Sequence, residues 1–277
     1  MLSGVAKELL IPDQYLTNVW DVDLEKFQSD GVENIVFDLD NTLYPYKPSH
    51  EAGMSSVRSK AITTIGIGAN EFDTAFDNAR METKKQLGST ASSHSRLLYF
   101  QRTLEYLGLR SQMLLSLEFE QAYWSSYLAA IKLREGVIDF LNQLARINIT
   151  KVLVTDLTAQ IQFRKLVYTE LDRRFDYVVT SEESGQDKPN QVSFVIALNK
   201  VLPAIHSTGT KPQGETVWMI GDNVTSDLEG AKMAINATTL ALKSEIGNHA
   251  DNNSIDLIFD SFIDLEKFVH EKDWYEN

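Results

Sequence analysis

The sequence predicts an α/β fold: a mostly parallel sheet covered on both faces, with an all-helical segment inserted after the first strand. Two observations carry that expectation. Short apolar runs of strand character alternate with segments of helical periodicity from Arg134 to the C-terminus, and one further run stands just after Glu33. Between Pro45 and Leu133 no convincing strand appears, and only helix-compatible stretches remain. The alternation indicates βαβ units, and strands buried on both faces read as continuous apolar runs rather than alternating ones. The strandless stretch means that the chain leaves the sheet, builds a helical unit and returns.

Taken in order, Met1–Tyr15 reads as a short amphipathic helix packed on the body. It lacks the long apolar run of a secretory signal. The first strand is Ile35-Val36-Phe37. Helices are then expected over Glu71–Leu87, Ser93–Leu107 and Leu117–Lys132. The last of these carries Phe119, Tyr123, Trp124, Tyr127 and Leu128 on one stripe. Such a stripe is expected in the core of a helical bundle, with a substrate-facing role as the alternative. Later strands are Lys151–Val154, Tyr177–Val179, Val217–Ile220, Thr238–Leu242 and Leu257–Phe259. Val137-Phe140-Leu141-Leu144 and Phe194-Val195-Leu198-Val201 mark intervening helices, and His206–Gly214 is a surface loop. With 277 residues the chain fits one large or two smaller domains. The expected division is an α/β domain of residues 1–44 and 134–277, interrupted by a helical domain of residues 45–133.

Composition removes several chemistries. There is no cysteine, hence no disulfide framework, thiolate nucleophile, Cys-ligated zinc or iron–sulfur cluster. The five histidines are scattered, without the short spacing of a helical metal site. With 39 acidic against 26 basic residues the net charge is −13. That argues against a nucleic-acid polymer as partner, because such binding rests on Lys and Arg neutralising phosphates. No stretch approaches the roughly 18 apolar residues of a membrane span, and a cytoplasmic protein is expected. A small anionic substrate would need a locally positive pocket or a bound cation.

Four segments carry the chemistry. In Phe37-Asp38-Leu39-Asp40-Asn41-Thr42 a hydrophobic strand runs into two aspartates two positions apart. At the carboxyl end of a parallel strand these reach the crevice where open α/β sheets bind ligands. Two close carboxylates repel, and a divalent cation would let both stay charged; the alternative is a solvated Asp-rich turn. A second strand ends at Thr155-Asp156, before a helix starting near Thr158, which suits an anion cradle or an ordinary helix cap. Lys188 sits in a turn-rich loop between a strand and a helix, where most lysines are simply solvated. Finally, Val217–Ile220 runs into Gly221-Asp222-Asn223, with Asp227 five residues beyond Asp222. Oxygen ligands from two strand ends suit Mg²⁺, although Asp227 could equally be a charge on a helix dipole.

In this order and spacing, the set resembles the four motifs of the haloacid dehalogenase-like (HAD) hydrolase superfamily. Its helical insert is similar to the C1-type cap of subfamily I. The resemblance implies a Rossmann-like core and a Mg²⁺-dependent phosphatase acting on a small phosphorylated metabolite. Asp38 would be the nucleophile, forming an aspartyl-phosphate, and Asp40 the acid and then the base. The metal would be held by the Asp38 carboxylate, the Asp40 backbone carbonyl and Asp222. Asp227 and Asn223 would support the metal waters or Lys188. Thr155, the Asp156 N–H and Lys188 would stabilise the transferring phosphoryl group. Asp40 favours phosphoryl transfer over carbon–halogen cleavage, since dehalogenases need no acid there. A phosphosugar mutase and a non-catalytic interaction protein on the same scaffold remain the alternatives.

The substrate is expected among nucleotide or sugar phosphates. Asp40–Pro45 resembles the pyrimidine 5′-nucleotidase branch, and Ser181–Asn190 resembles bacterial nucleotidases and acylneuraminate phosphatases. Leu10–Gly31 resembles the entry segment of capless phosphatases of the superfamily. One departure stands out: Asp156 follows Thr155 where many relatives have Asn or Ser, bringing a further negative charge toward the phosphate unless it points away.

Overall fold

The computed structural model describes Val32 and residues 34–201, 217–247 and 252–271. The expected N-terminal helix, the Leu10–Gly31 segment and the His206–Gly214 loop lie outside the described residues. Six parallel strands form one sheet: β1 (Asn34–Phe37), β2 (Thr150–Thr155), β3 (Tyr177–Thr180), β4 (Val217–Gly221), β5 (Thr238–Leu242) and β6 (Leu257–Phe259). Their order is β3-β2-β1-β4-β5-β6, so β1 lies between β2 and β4. Phe37 pairs with Leu153 on one side and Ile220 on the other. The chain builds outward from β1 in one direction and then, through β4, in the other. Such a reversal opens a crevice at the strand carboxyl ends, and Asp38, Thr155 and Asp222 all emerge there.

The alternation within strands explains why both faces are apolar. Ile35, Phe37, Trp218, Ile220 and Leu240 face one core cluster. Val36, Val152, Val154, Met219 and Ala241 face the other. The first face is covered by α5 (Val137–Arg146) and α11 (Phe262–Glu271), the second by α8 (Gln191–Val201) and α9 (Gly230–Ile235). Gly136, at φ 81°, lets α5 start against α11, because a Cβ there would stand 2.6 Å from the backbone nitrogen of Ile263.

Between β1 and α5 the described chain is a helical cap: α1 (Tyr46–Ile65), α2 (Ala69–Leu87), a 3₁₀ turn (Ala91–His94), α3 (Arg96–Tyr106) and α4 (Met113–Ala130). Helix α1 was not marked by periodicity in the sequence. It ends at Gly66 in the left-handed conformation, whose N–H returns to the Ile62 carbonyl. The α4 stripe is core as expected, with Phe119, Tyr123 and Tyr127 fully buried. The remaining helices are α6 (Ala159–Tyr168) and the short α7 (Ser181–Ser184) and α10 (Lys243–Ile246). No helix among the described residues is long and apolar enough to cross a membrane.

Candidate active site

The loop after β1 is fixed before any ligand arrives. Asn41 takes a left-handed φ of 66°, which asparagine tolerates better than most residues. Its side-chain oxygen accepts the Tyr46 N–H at 3.0 Å, at the start of α1. Arg134, arriving from the far end of the cap, donates to the carbonyls of Asn41 and Thr42 at 2.7 and 3.1 Å. The loop is thus pinned from both ends of the helical insert, and Asp38 and Asp40 take defined directions.

Asp38 is 5% exposed. Its Oδ1 accepts from Lys188 Nζ at 2.5 Å and its Oδ2 from Thr42 Oγ1 at 3.0 Å. Thr42 lies 3.2 Å from Asp222 as well, so one hydroxyl spans the ends of β1 and β4. Lys188 Nζ also meets Asp227 at 2.8 Å and the Val154 carbonyl at 3.1 Å. The loop lysine is therefore a buried bridge between β1, β2 and the turn after β4. Burial pushes the Asp38 carboxyl up; Lys188 opposes that, and Asp227 and Asp222 add to it. Burial and the neighbouring Asp227 raise Asp222 to about 7. Burial alone would lower Lys188, but Asp227 and Asp38 outweigh it and raise it.

The turn after β4 explains how Asp227 reaches the lysine. Asn223 caps the π-helical turn Val224–Glu229, accepting from the N–H groups of Thr225 and Ser226 at 3.1 and 2.9 Å. Asp227 Oδ2 in turn accepts the Asn223 N–H at 3.1 Å. Gly221 makes the approach possible, since a Cβ there would lie 2.6 Å from the Asp227 Cβ. Carboxylate oxygens of Asp38, Asp222 and Asp227 fall within 4.8 Å of one another. This all-oxygen donor set, two of whose carboxyls are raised by mutual repulsion and burial, suits a hard divalent cation. Asp40 does not join the cluster through its carboxylate, so any part it plays there falls to its backbone carbonyl.

The Asp40 side chain turns instead toward α6 and the cap. Lys165 Nζ donates to its Oδ1 and Oδ2 at 2.8 and 2.7 Å, the Tyr44 hydroxyl donates to Oδ1, and Gln162 Nε2 lies 3.3 Å from Oδ2. Tyr127 of cap helix α4 is 3.4 Å away and hydrogen-bonded to Tyr44 at 2.8 Å. Burial alone would raise Asp40; Lys165 and these donors overcome it, and the carboxyl sits below its ordinary range. At the end of β2, Thr155 Oγ1 accepts from Gln162 at 2.7 Å, and Thr158 stands at the N-cap of α6 without a side-chain capping hydrogen bond. Leu157 is held at φ 103°, a strained conformation fixed by its N–H bond to Ser181 Oγ at 2.8 Å. Asp156, the departure noted above, receives the Lys188 backbone N–H on Oδ1 at 2.9 Å, so part of its charge is directed into the lysine loop. Burial still raises it, partly offset by Lys188.

All the sequence-expected site residues (Asp38, Asp40, Thr155, Asp156, Lys188, Asp222, Asn223 and Asp227) line one cavity of about 270 Å³. Its opposite wall belongs to the cap and comprises Tyr46, Arg80, Lys84, His94, Arg96 and Tyr99. Sequence reasoning missed that wall, and it missed Gln162 and Lys165. A signal for the latter pair was present: α6 exposes Phe163, Val167 and Tyr168 while burying a glutamine and a lysine. Such an inversion marks a helix face selected for something other than packing.

Residues 32–234 match a family model described as haloacid dehalogenase-like hydrolase. The chain belongs to that family. A protein of Halopiger xanaduensis named ribulose-1,5-bisphosphate 5-phosphatase is 34% identical to this HAD chain over 213 residues, 76% of this chain and 85% of that protein. A glyceraldehyde 3-phosphate phosphatase of Methanopyrus kandleri is 30% identical over 204 residues, 73% and 81% of the two chains. Among solved structures, a 2-haloacid dehalogenase from Pseudomonas syringae pv. tomato gives a TM-score of 0.66 at 17% identity, covering 87% of this chain and 99% of that one. That last likeness is one of fold, with the HAD sheet and its helical insert in common.

Proposed function

We propose that this HAD phosphatase hydrolyses a small phosphorylated sugar through an aspartyl-phosphate on Asp38, with Mg²⁺ as its cofactor. The observation that carries the reading is the Lys188 bridge. A carboxylate at the end of the central strand is held 2.5 Å from a buried ammonium, within the same small cavity as Thr155 and a cluster of two further carboxylates. An Asp38 oxygen attacks phosphorus, the ester P–O bond breaks, and the leaving oxygen takes a proton from Asp40. Water then attacks the same phosphorus and gives its proton to Asp40, and the bond to Asp38 breaks to release inorganic phosphate. Lys188 and Thr155 face the phosphoryl oxygens throughout. Asp38, Asp222 and the Asp40 carbonyl would hold the Mg²⁺, with Asp227 and Asn223 behind them. When bound, the ion supplies the positive charge that lets an anionic ester approach an acidic site.

Asp40 must give up its contact with Lys165, or protonate beside it, to serve the leaving group. Its lowered carboxyl suits the base step as it stands. The relatives' names favour a sugar or triose phosphate over a nucleotide as substrate. The test is p-nitrophenyl phosphate hydrolysis with Mg²⁺, comparing wild type with Asp38→Asn. The expected loss is at least about a thousandfold in kcat; equal rates would sink the aspartyl-phosphate route. A panel of sugar phosphates and nucleoside monophosphates then checks the substrate class, and a preference for nucleotides would overturn it.

A further inference from the structure

The two ends of the cavity balance charge differently. At the core end every lysine has a carboxylate: Lys165 with Asp40 at 2.7 Å, and Lys188 with Asp38 and Asp227 at 2.5 and 2.8 Å. At the cap end stand Arg80 and Lys84 from α2 and Arg96 from the start of α3. None of the ion pairs formed among the described residues includes these three. The nearby carboxylates, Asp187 and Asp156, attract Lys84 without forming an ion pair with it, and Asp187 Oδ1 is buried without a hydrogen-bond partner. Asp187 accepts from His94 at 2.9 Å, and Asp156 Oδ1 accepts the Lys188 N–H at 2.9 Å.

Arg96 shows the imbalance most clearly. Its two terminal nitrogens donate to neutral oxygens, the His94 carbonyl at 2.7 Å and the Tyr46 hydroxyl at 2.8 Å. Its guanidinium lies against the rings of Tyr99, Tyr123 and Trp124, 5.4 to 5.6 Å from their centroids. Its Nε is buried with no acceptor. A cation taken from water without a counter-charge, and with a donor left over, is costly unless a ligand completes it. The three cations also act on their surroundings. Burial, then Arg80 and Arg96, lower Lys84, and the attraction of Asp187 and Asp156 only partly offsets them. Burial, then Arg96, Arg80 and Arg58, lower His50 to about 4. A patch that repels itself in the free protein is arranged for an anion that arrives from outside.

We infer that Arg80, Lys84 and Arg96 form a second anion subsite, which takes the distal phosphate of a bisphosphorylated substrate while Asp38 faces the ester to be cleaved. The inference rests on the phosphatase reading above and names the substrate class within it. Three cations, two of them planar forks with several donors, match a dianionic phosphate better than a single carboxylate. Only one ester is cleaved: water supplies the oxygen, one inorganic phosphate leaves, and the distal ester stays on the carbon chain. The product is therefore a sugar monophosphate, and the reaction that consumes it must accept a single phosphate ester.

The experiment compares kcat/KM for a ketopentose 1,5-bisphosphate, the matched 5-monophosphate and a phosphorylated hydroxy acid of similar length. Wild type is set beside the double variant Arg80→Met/Lys84→Met. Wild type should prefer the bisphosphate by about tenfold or more, a charge-assisted hydrogen bond lost at each step. The double variant should bring the ratio of bisphosphate to monophosphate near one, and added salt should weaken the wild-type preference. The melting temperature of the variant should hold or rise, because repulsion is relieved; a purely structural cluster would lose stability. Equal kcat/KM for the two sugar esters in wild type overturns the subsite. So does a preference that survives in the double variant, and a phosphorylated acid that outperforms the bisphosphate overturns the assignment to phosphate. Absence of phosphate release from all three would instead overturn the phosphatase reading itself.

Discussion

Replacing Lys165 with methionine isolates the contact that holds Asp40. The lysine side chain is 2% exposed and stands 2.7 Å from a carboxylate that is 29% exposed. It also lies over the Trp124 and Tyr127 rings at 5.9 and 5.4 Å, a cage that methionine can fill. At this separation the attraction is about 6 kcal/mol with an effective dielectric of about 20. Most of it offsets lost hydration. Removing one partner of a buried pair costs about 3–5 kcal/mol, and Asp40 retains the Tyr44 and Gln162 donors and some solvent. The expected net loss is about 2 kcal/mol, or about 3–4 °C in Tm for a chain of this size.

The sign with pH follows from the same contact. In wild type the Asp40 carboxyl is lowered, so its stabilisation is present above the ordinary carboxylate range and is lost only as pH falls through its lowered value. In the variant, burial acts without Lys165 and raises it. The deficit should therefore be largest near neutral pH and shrink as the pH falls, because Asp40 of the variant protonates before that of the wild type. Thermal denaturation in EDTA across that range is the assay, extended to a double-mutant cycle with Asp40→Asn. A coupling energy of about 2 kcal/mol is expected. Coupling below about 0.5 kcal/mol, or a deficit that grows on acidification, would refute the account.

His50, lowered to about 4 and bonded through Nδ1 to the Tyr123 hydroxyl at 2.8 Å, should make stability fall on acidification from about pH 6.5, where the unfolded chain begins to bind a proton that the folded state refuses. Partial exposure limits the effect to about 1–2 kcal/mol; His50→Gln should flatten Tm between pH 6.5 and 5, and an unchanged slope would dismiss it. Gly221→Ala forces Asp227 off Lys188, because its Cβ would sit 2.8 Å from Oδ2; about 3 kcal/mol and nearly all phosphate release should be lost. Gly185→Ala, with nothing within 4 Å but a φ of 81°, serves as the comparison and should cost only about 1 kcal/mol of stability, read from the shift in Tm. Millimolar Mg²⁺ should raise the Tm of wild type but not of Asp222→Asn, following the mass-action stabilisation of a bound ion; a Tm indifferent to Mg²⁺ in both would count against the metal.

The sheet was legible because its central strands are buried on both faces, and even the partly exposed edge strands β3 and β6 are continuous apolar runs that announce themselves without reference to distant residues. Val217–Ile220, for instance, has no polar position to confuse it. The strand-end aspartates were legible for the same reason, since a carboxylate after an apolar run has only one place to be. Helix α1 was not. Gly53 takes the place of an apolar residue where the helix meets Tyr123, and a Cβ there would stand 2.7 Å from that ring. Its buried face is therefore small and polar in part, including Ser49, and shows no stripe. Helix propensity and tertiary fit, not periodicity, hold it.

The half of the site that was missed shares one physical cause. Lys188 follows β3 by the single turn of α7 and a short loop, so its destination is set locally. Lys165, Gln162, Arg96 and Lys84 belong to helices whose rotation is fixed only when the cap meets the core. Tyr127 makes the point: as a member of the α4 stripe it reads as packing, and it does pack, fully buried. Yet its hydroxyl ends 2.8 Å from Tyr44 and 3.4 Å from Asp40. A buried tyrosine hydroxyl has to find a partner, and no pattern within α4 can say that the partner is the carboxylate beside the proposed nucleophile. The same holds for Asp40, whose spacing from Asp38 suggested a shared cation but whose side chain answers to Lys165. Spacing along one strand fixes which residues reach the crevice; the charge each one finally faces is set by the element packed across from it.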